Sequence, residues 1–313
     1  MPKKDIPQSI LDQLAKLEQK YQSMGQDMTA YLDGLLYSNF LTYWDYIHLE
    51  TLLSLQNPKT DFADEKIFIT YHQITELYFN LILHEIEQIT SQKNLTEQWF
   101  IERLKRMINY FKQLVNSFEI MGSGMDKEQF LKYRMALLPA SGFQSVQYRM
   151  IEICSTDLIN IVAREELTSL VEESRIDEIY EKLYWKKGAT ELATGQKTLT
   201  LQQFEKKYSA KLIKLAYEYQ DKNLWQIFQK NFPDSTKIAK LLHDYDALAN
   251  IEWASSHLKS AMKYLQKKET IIAATGGTNW QKYLPPKYQQ RRFFPLLWSE
   301  DEINNWGKQK IGW

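Results

Sequence analysis

Cysteine is nearly missing: Cys154 is the single example in 313 residues. That excludes an intramolecular disulfide and any zinc site built from several thiolates. Glycine (11) and proline (8) are scarce, which argues against a turn-rich β protein and against a doubly wound fold that relies on glycine loops. Neither sign of charge is in excess, with 39 Lys and Arg against 39 Asp and Glu. The chain therefore offers no electrostatic footprint for nucleic acid or an anionic membrane, and short basic runs such as KYQQRR (287–292) read as solvated surface. No stretch approaches 18 uninterrupted apolar residues, and the opening MPKKDIPQSILDQL has no apolar core of a secretory signal. The expectation is a soluble cytoplasmic protein without nucleic-acid or membrane partners.

What is present is aromatic: 19 Tyr, 14 Phe and 9 Trp, within a composition that is 44% hydrophobic and 25% charged. Aromatic side chains are core and interface material, and they also line pockets for flat ligands. Apolar residues recur at three- and four-residue steps over long stretches, the period of amphipathic helices. Residues 9–24 read as a free-standing amphipathic arm, and 36–56 and 64–91 as candidate central helices. A further helix spans 97–121 and is closed by Gly-Ser-Gly at 122–124. Asp126 caps another, which runs toward Pro139. A helix or helix pair follows to about 163, and a long helix covers 236–268. Strand-type alternation is nearly absent. The pattern predicts an all-α fold, one domain over 1–313, with an N-terminal arm (1–30) and an inserted helical hairpin (170–232).

The common catalytic signatures do not occur. None of the five histidines has a Glu three positions before it, as a di-iron helical bundle requires. His84-Glu85 lacks the second histidine of a zincin, and ATGGTN is not a Walker A loop. His84 and His243 read as ordinary boundary residues, and His48, three residues after Asp45, has a structural reading too. Three pairs stand apart: Phe68 and His72, Phe130 and Arg134, Trp253 and His257. In each, an aromatic precedes a polar group by four residues, so both share one helical face inside an apolar stripe. A single such pair is bland, because core aromatics often have polar neighbours. Three together suggest helices converging on a polar-studded aromatic cavity. Imidazole is a good axial ligand for haem iron, and a guanidinium fork matches a carboxylate.

Several blocks go further. FITYHQITELYFNLILHEI (68–86), FLKYRMALLPASGFQSVQYRMIE (130–152), WASSH (253–257) and TGGT (275–278) resemble the tryptophan 2,3-dioxygenase family in order and character. LTYWDYIHLETLLSLQ (41–56) is similar to that family's N-terminal segment. The resemblance implies an all-helical, haem b-dependent homotetramer that opens the indole ring of L-tryptophan with O2 to give N-formylkynurenine. It implies that His257 is the axial haem ligand and that His72 is the distal histidine facing the indole N–H. Phe68 and Phe130 become pocket walls, Arg134 the partner of the substrate carboxylate, and Thr275 the residue at its carboxylate and ammonium end. Ser141, Gly142 and Trp253 fall beside the haem. Tyr43, Tyr46 and Ile47 match positions by which one subunit completes its neighbour's pocket.

The chain also departs from the family pattern. Ala63 stands where a histidine is usual, Tyr78 where a tryptophan is usual, and Ala274 where a glycine is usual. Trp280 replaces a small residue, Ala254 stands where an Arg often follows Trp253, and 18 positions separate His257 from Thr275. Two alternatives stay open on the sequence. One is an oxygenase or hydroxylase on the same scaffold acting on another aromatic acid or indole. The other is a helical protein that holds haem or a ligand without turnover.

Overall fold

A computed structural model of the chain describes residues 6–38, 41–137, 142–171, 174–190, 196–265 and 285–308. The chain divides into two units, Met1–Leu55 and Gln56–Trp313. Among the described residues it is all-helical, and the extended pairing amounts to two isolated bridges, Val162 with Leu183 and Thr190 with Lys197.

The first unit carries α1 (Gln8–Ser23), α2 (Met28–Tyr37), α3 (Tyr43–Tyr46) and α4 (Leu49–Leu53). Gly25, at φ +67°, turns the chain between α1 and α2 in a conformation that side chains with a Cβ disfavour. Asp27 then caps α2 by accepting the Thr29 amide, and the Tyr21 and Tyr31 rings stack at 4.3 Å. None of these four helices has a buried residue. The stretch 36–56 is accordingly not the continuous central helix that its apolar content predicts. Ser38 is extended and His48 is left-handed (φ 52°), and the two split the stretch into short pieces. Long helices owe most of their stability to a packed face, and here that face is uncovered.

The second unit is built on two long helices, α5 (Asp64–Ser91) and α6 (Glu97–Ser123), packed against each other along their length. Thr96 caps α6 by accepting the Trp99 amide, and Gly124 closes it. The α6 stripe of Phe100, Leu104, Met107, Phe111, Leu114 and Met121 is buried, as are Phe79, Ile82, Ile86 and Ile89 of α5. Asp126 caps α7 (Lys127–Tyr133), which tightens into a 3-10 turn at Arg134–Leu137. α8 (Val146–Ser155), capped by Ser145, packs on α5. Next come α9 (Ile176–Glu181), α10 (Tyr184–Gly188), α11 (Leu199–Tyr219) and α12 (Leu224–Asn231), with α11 against α8.

The stretch expected as one helix from 236 is a composite. α13 (Thr236–Ala247) passes through a π turn at Leu248–Glu252 into α14 (Trp253–Leu265), and all three pieces lie against α6. Two short helices, α15 (Pro286–Gln289) and α16 (Glu300–Asn304), complete the described chain. Between them Phe293 and Phe294 are fully buried, and Arg291 pairs with the buried Glu152 of α8 at 2.7 Å. Among the described residues, no helix is long and apolar enough to cross a membrane.

Candidate active site

Four elements bring aromatic and polar side chains together near one end of the α5–α6 pair. From α5 come Phe68, Tyr71 and His72; from α6, Phe118; from α7, Phe130 and Tyr133; from α14, Trp253, His257 and Tyr264. Phe68 stands at the centre of the first group. Its ring lies 4.1 Å from that of His72 and 6.1 Å from both Phe130 and Tyr133. Phe130 reaches Tyr264 at 4.9 Å, and the Tyr264 hydroxyl donates to the main-chain carbonyls of Met121 and Met125, fastening α14 to the end of α6.

The second group surrounds His257. Phe118 stacks on its imidazole at 5.9 Å with 24° between the planes, and Trp253, one turn earlier, lies 6.0 Å away. Phe118 also touches Tyr71 at 5.6 Å, and Tyr71 meets His72 edge-on at 5.4 Å. Rings from α5 and α6 thus form a continuous path between the two histidines. Gly142 lies against the same imidazole, since a Cβ built on it would sit 3.9 Å from His257 Cε1, ordinary van der Waals contact.

Both imidazoles are held neutral. Burial, helped by the proximity of His72, pulls the His257 pKa down to about 4. Each ring keeps partial surface exposure, yet protein atoms crowd it closely enough that desolvation dominates. Burial also lowers the pKa of His72, against opposing contributions from the Phe68 carbonyl and the Glu76 charge. His72 Nδ1 lies 2.7 Å from the Phe68 carbonyl oxygen. A carbonyl only accepts, so Nδ1 carries the proton and Nε2 keeps its lone pair. The fixed tautomer makes His72 an acceptor toward whatever it faces through Nε2.

Arg134 opens the 3-10 turn directly after α7, and its main-chain N–H bonds to the Phe130 carbonyl. It is 3% exposed, and desolvation lowers its pKa. On α14, one turn or less before His257, the Trp253 indole N–H and the Ser255 hydroxyl are buried with no hydrogen-bond partner among the described residues. Buried polar atoms are nearly always paired, so these two mark a place where a polar partner fits.

Of the residues singled out from sequence, the structure gathers Phe68, His72, Phe130, Trp253, His257 and Gly142, with Arg134 at the end of α7. Ser141 and Thr275 lie outside the described residues, together with Ala274 and Trp280. Tyr43, Tyr46 and Ile47 belong to the first unit, where both tyrosines are 71% exposed. Phe118, Tyr71, Tyr133 and Tyr264 are site residues that the sequence did not single out. Phe118 has Gly122 four positions on, and only its place on the α6 stripe, a turn beyond Leu114, pointed inward.

A profile of the tryptophan 2,3-dioxygenase family matches residues 35–231. The chain belongs to that family. Family members similar to it include the tryptophan 2,3-dioxygenase of Bacillus anthracis, 30% identical over 268 residues, covering 83% of this chain and 91% of the relative. That of Bacillus thuringiensis subsp. konkukian is 28% identical over 270 residues, with the same two coverages. The family member from Ruegeria sp. strain TM1040 is 38% identical over a shorter stretch of 118 residues, covering 37% of this chain and 42% of the relative.

Proposed function

We propose that the chain is a haem b-dependent dioxygenase that converts L-tryptophan and O2 to N-formyl-L-kynurenine, acting as a homotetramer in the cytoplasm. In this reading residues 1–313 form one haem dioxygenase domain with an N-terminal arm and a helical insertion at 170–232. The observation that carries it is the pair of neutral imidazoles, His72 on α5 and His257 on α14, joined by aromatic rings beside Phe130 and the buried Arg134.

The residues present fit a haem. His257 is a neutral imidazole, the form that ligates iron. Phe118 and Trp253 offer flat apolar faces beside it, Gly142 presents backbone without a side chain, and the orphaned Trp253 N–H and Ser255 hydroxyl suit a polar edge. In this reading His257 would hold the haem iron, with Trp253, Gly142 and Ser141 around the group. When bound, haem supplies the redox chemistry that lets ground-state O2 add to an indole ring.

The protein's part is to bind, orient and exclude water. His72, with its proton fixed on Nδ1, accepts the indole N–H at Nε2. Phe68 and Phe130 flank the ring and keep water off it. Arg134 binds the substrate carboxylate by two parallel hydrogen bonds, the geometry its planar fork favours. Thr275 closes on the carboxylate and ammonium end, and Tyr43, Tyr46 and Ile47 from a neighbouring subunit complete the pocket. Both oxygen atoms end in the product, so no external reductant is consumed, and the formamide nitrogen of the product still carries the indole proton, so no base has to remove it. His72 therefore assists through position.

The test is to incubate ferrous, haem-loaded protein with L-Trp and O2 and follow N-formylkynurenine by absorbance. Product formation supports the reading. A Soret band with no tryptophan consumed makes the chain a binding protein, and a hydroxylated product makes it a hydroxylase on the same scaffold.

A further inference from the structure

The helix that carries His257 changes its winding one turn upstream of that residue. In the π turn Leu248–Glu252, the N–H of Trp253 reaches back five residues to the Leu248 carbonyl. The Ala249 carbonyl, which would accept that N–H in an unbroken α-helix, takes the hydroxyl of Tyr148 from α8 instead, at 3.3 Å. Tyr148 is 2% exposed, and its ring packs 5.0 Å from Trp253 and 5.3 Å from Phe79.

The turn is also held from within its own helix. Asn250 donates to Asp246 Oδ1 at 2.6 Å, and Asp246 Oδ2 accepts the Phe294 amide at 3.1 Å and the Trp298 indole N–H at 2.9 Å. Asp246, Ala249 and Asn250 are each 0–1% exposed. An extra residue in one circuit of a helix rotates everything after it by about 100° relative to a regular α-helix. Without the π turn, Trp253 and His257 would leave the face that meets Phe118 and Gly142. π turns are a costly winding and gather at functional sites, and this one has supports from α8 and from the 291–298 segment.

We propose that the π turn aims His257, and that Tyr148 and the Asp246–Asn250 pair are positioning residues for it. The inference rests on the reading of His257 as the haem ligand and extends it to residues that touch neither haem nor substrate. Tyr148→Phe removes the hydroxyl and keeps the ring, so packing against Trp253 survives while the Ala249 carbonyl loses its donor.

Two measurements on the haem-loaded full chain test this without recourse to turnover: the iron–histidine stretching band of the ferrous form by resonance Raman, and the rate of haem transfer to excess apomyoglobin. Tyr148→Phe shifts the band and speeds transfer about five- to tenfold, as expected for one lost hydrogen bond. Asn250→Ser, which weakens the turn from the other side, also shifts the band. Phe100→Leu, a core change on α6 opposite Phe232, alters neither. An unchanged band and transfer rate in both Tyr148→Phe and Asn250→Ser overturns the proposal, as does an equal shift in Phe100→Leu. If His257→Ala retains the parent's band, the haem-ligand reading itself fails, and the positioning role falls with it.

Discussion

At the scale of single residues, the neutral state of His257 and the fixed tautomer of His72 assign them different work. His257→Ala should abolish tight haem binding, seen as loss of the Soret band after desalting, whereas His72→Ala should retain it. His72→Ser with haem and substrate bound should still yield measurable product, since the proposed role is to hold the indole N–H. Arg134→Ala should raise KM for L-Trp by the equivalent of on the order of 2–5 kcal/mol, the effect of truncating one partner of a desolvated charged pair. Tryptamine, which lacks the carboxylate, should be a poor substrate of the parent, and comparable kcat/KM for tryptamine and L-Trp would remove Arg134 from this role. These residues were legible in unequal degree. Phe68, His72, Phe130 and Arg134 announce themselves by four-residue spacing inside apolar stripes. That α5 and α14 bring His72 and His257 close is tertiary information: the three spaced pairs suggested helices converging on a cavity, and the family resemblance assigned the two histidines their places in it. Phe118 was silent because nothing polar follows it on its face of α6.

At the scale of elements, legibility followed the length of the periodic stripe. α5 and α6 match the expected 64–91 and 97–121 to within two residues, because each holds an uninterrupted buried stripe and α6 carries clear end signals. The π turn had no marker, since LANIE is as compatible with α-helix as with a wider winding, and it is chosen by acceptors and donors on other elements. The entry to α5 is likewise fixed from outside the helix. Glu65 is fully buried and accepts the Lys59 and Thr60 amides at 2.7 and 2.8 Å, as well as the Thr60 hydroxyl. Burial raises its pKa, but those hydrogen bonds outweigh burial and the net shift is downward from 4.5. A carboxylate with a lowered folded pKa contributes stability that is present above the unfolded value and lost as pH falls through the folded one. Glu65→Gln should therefore lower Tm at pH 7 and flatten the acid limb of the stability profile below about pH 4.5, measured by thermal melts across pH. An acid limb as steep as the parent's would show that Glu65 is not a main source of it.

At the scale of the whole molecule, the first unit leaves a run of large apolar side chains uncovered in a single chain. Leu35, Leu36, Tyr37, Leu41, Tyr43 and Tyr46 are each 68–88% exposed. So many large apolar side chains left in water within one short stretch of sequence point to an interaction surface, in keeping with the proposed tetramer. Deleting residues through 50 should abolish assembly in sizing experiments and activity with it, and a fully active monomer would overturn the cross-subunit role of Tyr43, Tyr46 and Ile47. The second unit depends in turn on its own C-terminal stretch. Arg291→Met should destabilise the fold by on the order of 3 kcal/mol, because it strips a partner from a buried carboxylate, read from denaturant midpoints at constant m.

The attachment of residues 291–298 to α8 and α13 also fixes a sequence in time. Glu152, Thr156 and Asp246 are buried, and they meet Arg291, the Phe293 carbonyl, the Phe294 amide and the Trp298 indole. A nascent chain released as far as Gln290 has made every helix of the candidate site, but Glu152 then has only Arg149 and Tyr184 as partners and Asp246 only Asn250 among those described, so burying the two carboxylates costs more than in the full chain. The body therefore gains its full set of buried pairings only when the last of these partners has emerged. In the proposed reading, the haem would enter most easily just before that closure.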